Sequence, residues 1–194
     1  MRNHWEGRRV RLRAIDPDDW EQFYRWSHDS YAQRNAYQIE TPRSREDLQE
    51  WAREQAQRRR KGDDVVLAVE RNDAKLVGSV TAEWCEPRHG TFMVNVALGR
   101  EHWSNGYARE AMQVLLHHYF TEMRYQKANA RVYAFNDRSQ RLFEALGFQE
   151  EGRIRSAYYG NGQFHDVLLY GITVDEFREH HAELDAPHER VSTA

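Results

Sequence analysis

The sequence predicts a mixed α/β fold in which a central sheet is flanked by helices. Three observations carry this. Segments with alternating apolar and polar residues recur along the chain, as half-buried strands require. Segments with apolar residues at helical spacing lie between them. One stretch, Val94–Ala111, runs from an alternating strand through a glycine-bearing turn straight into a helix.

The elements follow in order. Arg8–Ile15 alternates Val10, Leu12 and Ala14 with arginines and reads as a strand with one wet face. Asp16-Pro17 has the form of an N-cap and first helical residue, and Trp20, Phe23, Tyr24 and Ser27 continue at helical spacing. Ser44 opens a second helix, with Asp47 placed as in a capping box. Leu48, Trp51, Ala52 and Gln55 lie on one face, and Gly62 forms the stop. Val65–Glu70 and Leu76–Cys85 form a hairpin about the turn 71–75, and a second turn at 86–90 leads to the strand Thr91–Leu98. Gly106–Arg124 is helical, Lys127–Phe135 a strand, and Asp137–Leu146 a short helix closed by Gly147. Phe148–Ile154 and Phe164–Thr173 are the last strands, joined through Gly160-Asn161-Gly162, and Asp175 is placed to cap a final helical turn. Residues 1–185 are expected to form one domain. The polar segment 186–194 is expected to be a disordered tail.

Composition excludes several classes. A chain of 194 residues can bury a substantial core, and its net charge of −3 with interspersed signs does not suit a nucleic-acid module. The run Arg58-Arg59-Arg60-Lys61 reads as a solvated last helical turn, favourable to the dipole. No apolar stretch could span a bilayer, and residues 1–13 lack the apolar region of a signal peptide. Cys85 is the single cysteine, so no intrachain disulfide forms. A cytoplasmic protein is expected, with no nucleic-acid or membrane partner; whether it forms a homodimer stays open.

The turn Trp103-Ser104-Asn105-Gly106-Tyr107-Ala108 carries the first functional signal. A strand feeding such a turn and a helix N-terminus presents unpaired N–H groups, and the helix dipole adds roughly half a positive charge. A phosphate-bearing ligand suits it. The segment resembles the acyl-CoA-binding motif of the GNAT N-acetyltransferase superfamily, and most closely its RimJ/RimL-like branch, whose version reads Trp-Gly-x-Gly-Tyr-Ala-x-Glu-Ala. Trp103, Gly106, Tyr107, Ala108, Glu110 and Ala111 match it, while Ser104 stands where that branch has glycine. Further on, Asn136 through Phe148 resembles the family's Asn-x-x-Ser-x-x-Leu-x-Glu-x-x-Gly-Phe segment. Read without the resemblance, Asn136 and Ser139 are a turn and helix cap, and Leu142, Phe143 and Leu146 are core.

The resemblance implies a GNAT fold with a mostly antiparallel sheet, acetyl-CoA as co-substrate and a primary amine as acceptor: a protein N-terminus, a polyamine or another small amine. It places the acyl arm along Val94, Val96 and Ala97, the phosphates at Trp103, Ser104, Asn105, Gly106, Tyr107 and Ala108, and the pantetheine contacts at Asn136, Ser139 and Phe143. The chemistry needs an oxyanion donor, a proton for the leaving thiolate and an acceptor for the amine's proton. The Val96 N–H is the candidate donor. Phe143 occupies the place where many members carry an acidic tyrosine, which leaves Ser139 for the thiolate. Met93 stands where the branch often carries a glutamate, so Glu83 on the preceding strand becomes the candidate base, acting through water, with His89 next. Surface roles for both remain open. Trp26, Tyr31 and Tyr37 fall in the region that covers the acceptor in this family, and Tyr158, Tyr159 and Asp166 either border the acceptor or pack structurally.

No metal site is expected. The adjacent pairs His117-His118 and His180-His181 point ~100° apart on a helix, and no spacing matches zinc. No Gly-x-Ser-x-Gly elbow supports a hydrolase. The alternative to an enzyme is a non-catalytic acyl-CoA-binding or sensor protein of the same fold.

Overall fold

The computed structural model describes residues 3–36, 39–57 and 62–182. Its strands are β1 (Val10–Arg13), β2 (Val65–Arg71), β3 (Leu76–Glu86), β4 (Thr91–Leu98), β5 (Lys127–Tyr133), β6 (Gln149–Gly160) and β7 (Gln163–Thr173). They form one sheet in the order β1-β2-β3-β4-β5-β7-β6. Every pairing is antiparallel except that of β4 with β5. The helices are α1 (Trp20–Trp26), α2 (Ser30–Ala36), α3 (Arg45–Gln57), α4 (Tyr107–Thr121), α5 (Asp137–Ala145) and α6 (Val174–His180). This is the mixed, mostly antiparallel architecture expected from the sequence.

Strand alternation assigns the two faces. One buries Val10, Leu12, Val69, Val80, Phe92 and Val94 against Met112, Leu115 and Tyr119 of α4. Phe92 stacks on Tyr119, with ring centroids 4.5 Å apart, and meets Phe120 and Tyr125 edge-on. The other face carries α1 and α3 over a smaller cluster, Ile15, Ala52, Ala68 and Leu76, flanked by half-buried Phe23, Trp26 and Trp51. At the β1 edge, buried Glu70 is held by the Arg11 and Arg13 guanidiniums, so its charge is paired. Burial opposes ionisation there, but the two arginines outweigh it and the carboxyl titrates below its usual range.

Three local expectations change. Asp29 accepts from the N–H groups of Tyr31 and Ala32 and starts α2, a helix absent from the periodicity reading. β6 continues to Gly160, because after a bulge at Ser156 (φ +50°) Tyr158 and Tyr159 pair with His165 and Phe164. Thr173, not Asp175, caps α6; its hydroxyl accepts from the Glu176 N–H, and the Glu176 carboxylate reaches back to the Thr173 N–H. As read, Asp16 is the N-cap and Pro17 the first residue of the turn that leads into α1, and the Asp19 carboxylate adds a reciprocal bond by accepting from the Asp16 N–H at 2.8 Å. The Ser44 hydroxyl does cap α3, accepting from Asp47 N–H at 3.1 Å. Tyr37, the run 58–61 and the tail 186–194 lie outside the described residues.

Candidate active site

β4 leaves β5 partway along its length. The two pair only at Thr91–Lys127, Phe92–Ala128 and Met93–Asn129. Beyond Met93, β4 keeps its ladder with β3 through to Leu98. The Gly99 N–H donates to Val77 O, which fixes the alternation: odd-numbered residues bond toward β3. The Val94 C=O and the backbone N–H and C=O of Val96 and Leu98 therefore face the gap, the Val94 N–H being turned to Asn129 in the last rung with β5. Consistently, Leu98 O accepts from the Trp103 indole N–H at 2.9 Å. A strand with polar groups along an open gap offers an extended ligand a strand-like partner.

β4 ends in a short 3₁₀ turn, Arg100–His102, and the chain then enters α4. Two residues take left-handed backbone. Gly106 has φ +78°, and a Cβ there would also stand 2.7 Å from Arg9 Nη1, which donates to Asn105 O. Ser104 has φ +64°, which accounts for the glycine that the RimJ/RimL-like branch carries there. The first helical bond runs from Glu110 N–H to Gly106 O. The N–H groups of Tyr107, Ala108 and Arg109 thus have no partner within α4, and an anion placed there meets donors and the positive helix end. Glu110, part of the motif, accepts from the Arg9 N–H at 2.7 Å and ties the N-terminal arm to α4.

α5 borders the other side of the gap. Asn136 is buried; its Oδ1 accepts from Ser139 N–H at 3.1 Å and its Nδ2 donates to Asn35 O at 2.7 Å. It caps α5 and joins α2 to α5. The Arg138 guanidinium lies 4.0 Å from the centre of the Trp103 ring, a stacked contact that braces the turn from α5.

A cavity of about 610 Å³ connects these parts. Val96, Ala97, Trp103, Ser104, Gly106, Tyr107, Ala108, Asn136, Ser139 and Glu83 all line it. Asn105 does not; its carbonyl is turned to Arg9. Val94 and Phe143 are buried beside it and line a separate pocket of about 30 Å³ with Val96 and Ser139. Phe143 packs on Phe148 and Tyr170, as a core residue does.

Glu83 comes to the floor of the cavity for a simple reason: it is the cross-strand partner of Met93, so its side chain shares that residue's face. It is half-buried and, among the described residues, has no hydrogen-bond or ion-pair partner. Burial, and secondarily the negative charge of Asp64, raises its carboxyl above the ordinary carboxylate range. His89 lies in an exposed turn away from the cavity, where its carbonyl accepts from Gln126.

The remaining candidates divide. Trp26 lines the cavity and donates to Glu101 at 3.0 Å. Tyr31 is exposed, with Arg100 over its ring. Tyr158 stacks on Tyr133, Tyr159 and Phe164 pair at the surface, and Asp166 holds the β6 bulge by accepting from Ser156 N–H and Arg153. Those bonds, the Ser156 N–H first, lower the Asp166 carboxyl. None of these three lines the cavity, which favours their structural reading. The sequence reading did not single out Arg138, Ser79, Thr81 or Arg43, which also line it. Ser79 and Thr81 were findable, since they alternate with Glu83 on the same strand.

Comparison with known proteins gives the class of this fold. A model of the acetyltransferase (GNAT) domain matches residues 9–149. The chain is 35% identical to the SPbeta prophage-derived uncharacterized N-acetyltransferase YokL of Bacillus subtilis, over 92% of this chain and 97% of that protein. It is 27% identical to the ribosomal-protein-serine acetyltransferase of Escherichia coli, over 52% of this chain and 56% of that one. Among solved structures, the spermidine N-acetyltransferase of Vibrio cholerae in complex with CoA and spermine superimposes with a TM-score of 0.75 at 22% identity, covering 87% of this chain and 97% of that one; this likeness shows the fold. The chain belongs to the GNAT family and is an acetyltransferase.

Proposed function

We propose that this enzyme moves the acetyl group of acetyl-CoA to a primary amine by direct attack within a ternary complex. The observation that carries the reading is the parting of β4 from β5 after Met93, with its free backbone edge leading into the left-handed turn at the start of α4. The gap accepts the acyl arm, and the turn with the N-terminus of α4 accepts the phosphates. The solved V. cholerae relative, described with CoA and spermine, supports a CoA thioester and a small amine as the reactants.

In this reading the amine nitrogen attacks the thioester carbonyl carbon, the carbon–sulfur bond breaks, and the thiolate leaves. The Val96 N–H, facing the gap, stabilises the oxyanion. Ser139 supplies the hydrogen bond that eases departure of the thiolate. Glu83, through water, takes the proton that the amine loses; its raised pKa brings it nearer the working pH of a general base. Positioning both reactants in one cavity supplies much of the remaining rate.

Initial-rate kinetics test the order of events. Varying acetyl-CoA and an amine together should give intersecting double-reciprocal lines; parallel lines would show an acetyl-enzyme and remove direct attack. Ser139→Ala should lower kcat by up to ~10²-fold with little change in acetyl-CoA affinity. Full activity in that variant would leave Ser139 only its structural place on α5.

A further inference from the structure

The acceptor side of the cavity has a composition that narrows the amine. Its floor is the sheet face under α1 and α3, and the strand registers arrange that floor in cross-strand rows. Ser79 and Ala97 form one row, Val66 and Thr81 the next, and Glu83 stands in the last; these line the cavity, while Ala68 beside Ser79 is buried beneath α1 and α3. Small side chains at the inner end leave the space, and a Cβ at Gly99 would collide with the Trp26 indole. The roof is aromatic. Phe23 meets Trp51 edge-on at 4.9 Å and Trp26 at 5.5 Å, and all three line the cavity.

Charge is sparse inside. Among the described residues Glu83 has no hydrogen-bond or ion-pair partner, while Glu101 is occupied by the Trp26 N–H. At the mouth, Glu40 is exposed, and Arg43 is bound to Asp47. A linear polycation threaded inward past Glu83 would meet no further carboxylate among the described residues of the inner end, so its second and third ammonium groups would have ring faces but no counter-charge. A single ammonium on an apolar body meets a carboxylate at one end and an aromatic slot at the other.

We infer that the acceptor is a monoamine with a compact apolar body, aromatic or branched aliphatic, whose nitrogen sits at the Glu83 end and whose body lies between the Phe23–Trp26–Trp51 roof and the Ser79–Ala97 floor. This rests on the acetyl-transfer reading above and narrows it. Two sources present this chemistry: a free arylalkylamine, and a polypeptide whose N-terminal residue carries an apolar side chain.

The experiment measures thiol release from acetyl-CoA by the full-length protein with 2-phenylethylamine, ethylamine, spermidine, and two short peptides that begin with Phe and with Ser. We expect kcat/KM for 2-phenylethylamine or for the Phe peptide to exceed that for spermidine by at least tenfold, and the better of the two identifies the source. Ser79→Leu fills the floor. It should raise KM for the preferred aromatic acceptor at least tenfold more than it raises KM for ethylamine. Spermidine equal to or better than the aromatic amines overturns the inference and leaves acetyl transfer standing. A folded Ser79→Leu enzyme with unchanged aromatic selectivity also overturns it. Thiol release with no amine at all, despite acetyl-CoA binding, sinks the proposed reaction itself.

Discussion

The two faces of the central sheet are built from the same strands and do different work. Toward α4 the strands present Val, Leu and Phe, and the rings of Phe92, Tyr119, Phe120 and Tyr125 interlock. Toward α1 and α3 they present Ala68, Ser79, Thr81, Glu83 and Ala97, beneath aromatic side chains that are only half-buried. Alternation with a period of two lets one strand serve both ends. In β3, Val80 and Ala82 complete the core, while Ser79, Thr81 and Glu83, one residue out of phase, line the cavity. The packed face holds the sheet rigid, so the other face can stay open without collapsing.

The sharpest test of that division is a pair of truncations. Phe92→Ala leaves a hole among fully packed rings and should cost ~3–5 kcal/mol of unfolding free energy. Trp51→Ala removes a larger side chain from the half-buried roof and should cost no more than ~2 kcal/mol. Equal costs by denaturant titration would show that the roof is as much core as the α4 face.

Much of this was legible in the chain. The seven strands were readable either from alternation, as in Arg8–Ile15 and Lys127–Phe135, or from turns that bound an apolar run, as in Val65–Glu70, and the turn at 103–108 was readable because its residue types are demanded by backbone geometry. What could not be read were features set by partners distant in sequence. Asn136 was read either as a cofactor contact or as a cap; the structure gives it a capping bond to Ser139 and, from its amide, a bond to Asn35, 101 positions away. β6 stopped too early because its second half pairs only after a bulge at Ser156. α2 was missed because its seven residues are too few to show a period, although Asp29 marked its start. Glu83 was chosen because the strand after it lacked a carboxylate; the register then supplied the stronger reason, its place opposite Met93.

At the turn, the comparison predicts loss of binding without loss of fold. Gly106→Val forces a branched residue into φ +78° and against Arg9 Nη1. Acetyl-CoA affinity should fall at least tenfold by calorimetry while the far-ultraviolet dichroism is kept, because the α4-face core is untouched. A folded variant of unchanged affinity would remove the turn from the phosphate site.

Glu83 links the open face to pH. Its carboxyl is raised by burial and by Asp64, so the folded protein holds this proton more tightly than the unfolded chain. Stability from this group is therefore full below the ordinary glutamate value and is lost as pH rises through the interval up to the raised value; Glu83→Gln should remove that dependence. In catalysis, kcat/KM should rise with pH to a plateau once Glu83 ionises. In Glu83→Gln the plateau should give way to a tenfold climb per pH unit toward the amine's own pKa, the signature of neutral amine drawn from solution. A plateau that survives Glu83→Gln would assign the proton to another group.

The smallest effect separates backbone from side chain within the turn. Ser104 holds φ +64°, at a cost of roughly 1–2 kcal/mol for a residue with a Cβ. Glycine there relieves this strain but adds freedom to the unfolded chain worth ~0.5–1 kcal/mol. Ser104→Gly should thus stabilise the protein by no more than ~1.5 kcal/mol, read as a small rise in Tm. Ser104→Ala keeps the strain and deletes only the hydroxyl, so it should leave Tm unchanged. If both variants bind acetyl-CoA as the parent does, the N–H groups of the turn suffice, and the serine is a tolerated stand-in for glycine. If both lose affinity equally, the hydroxyl itself holds a phosphate oxygen, and this chain has exchanged backbone ease for one added hydrogen bond at its anion site.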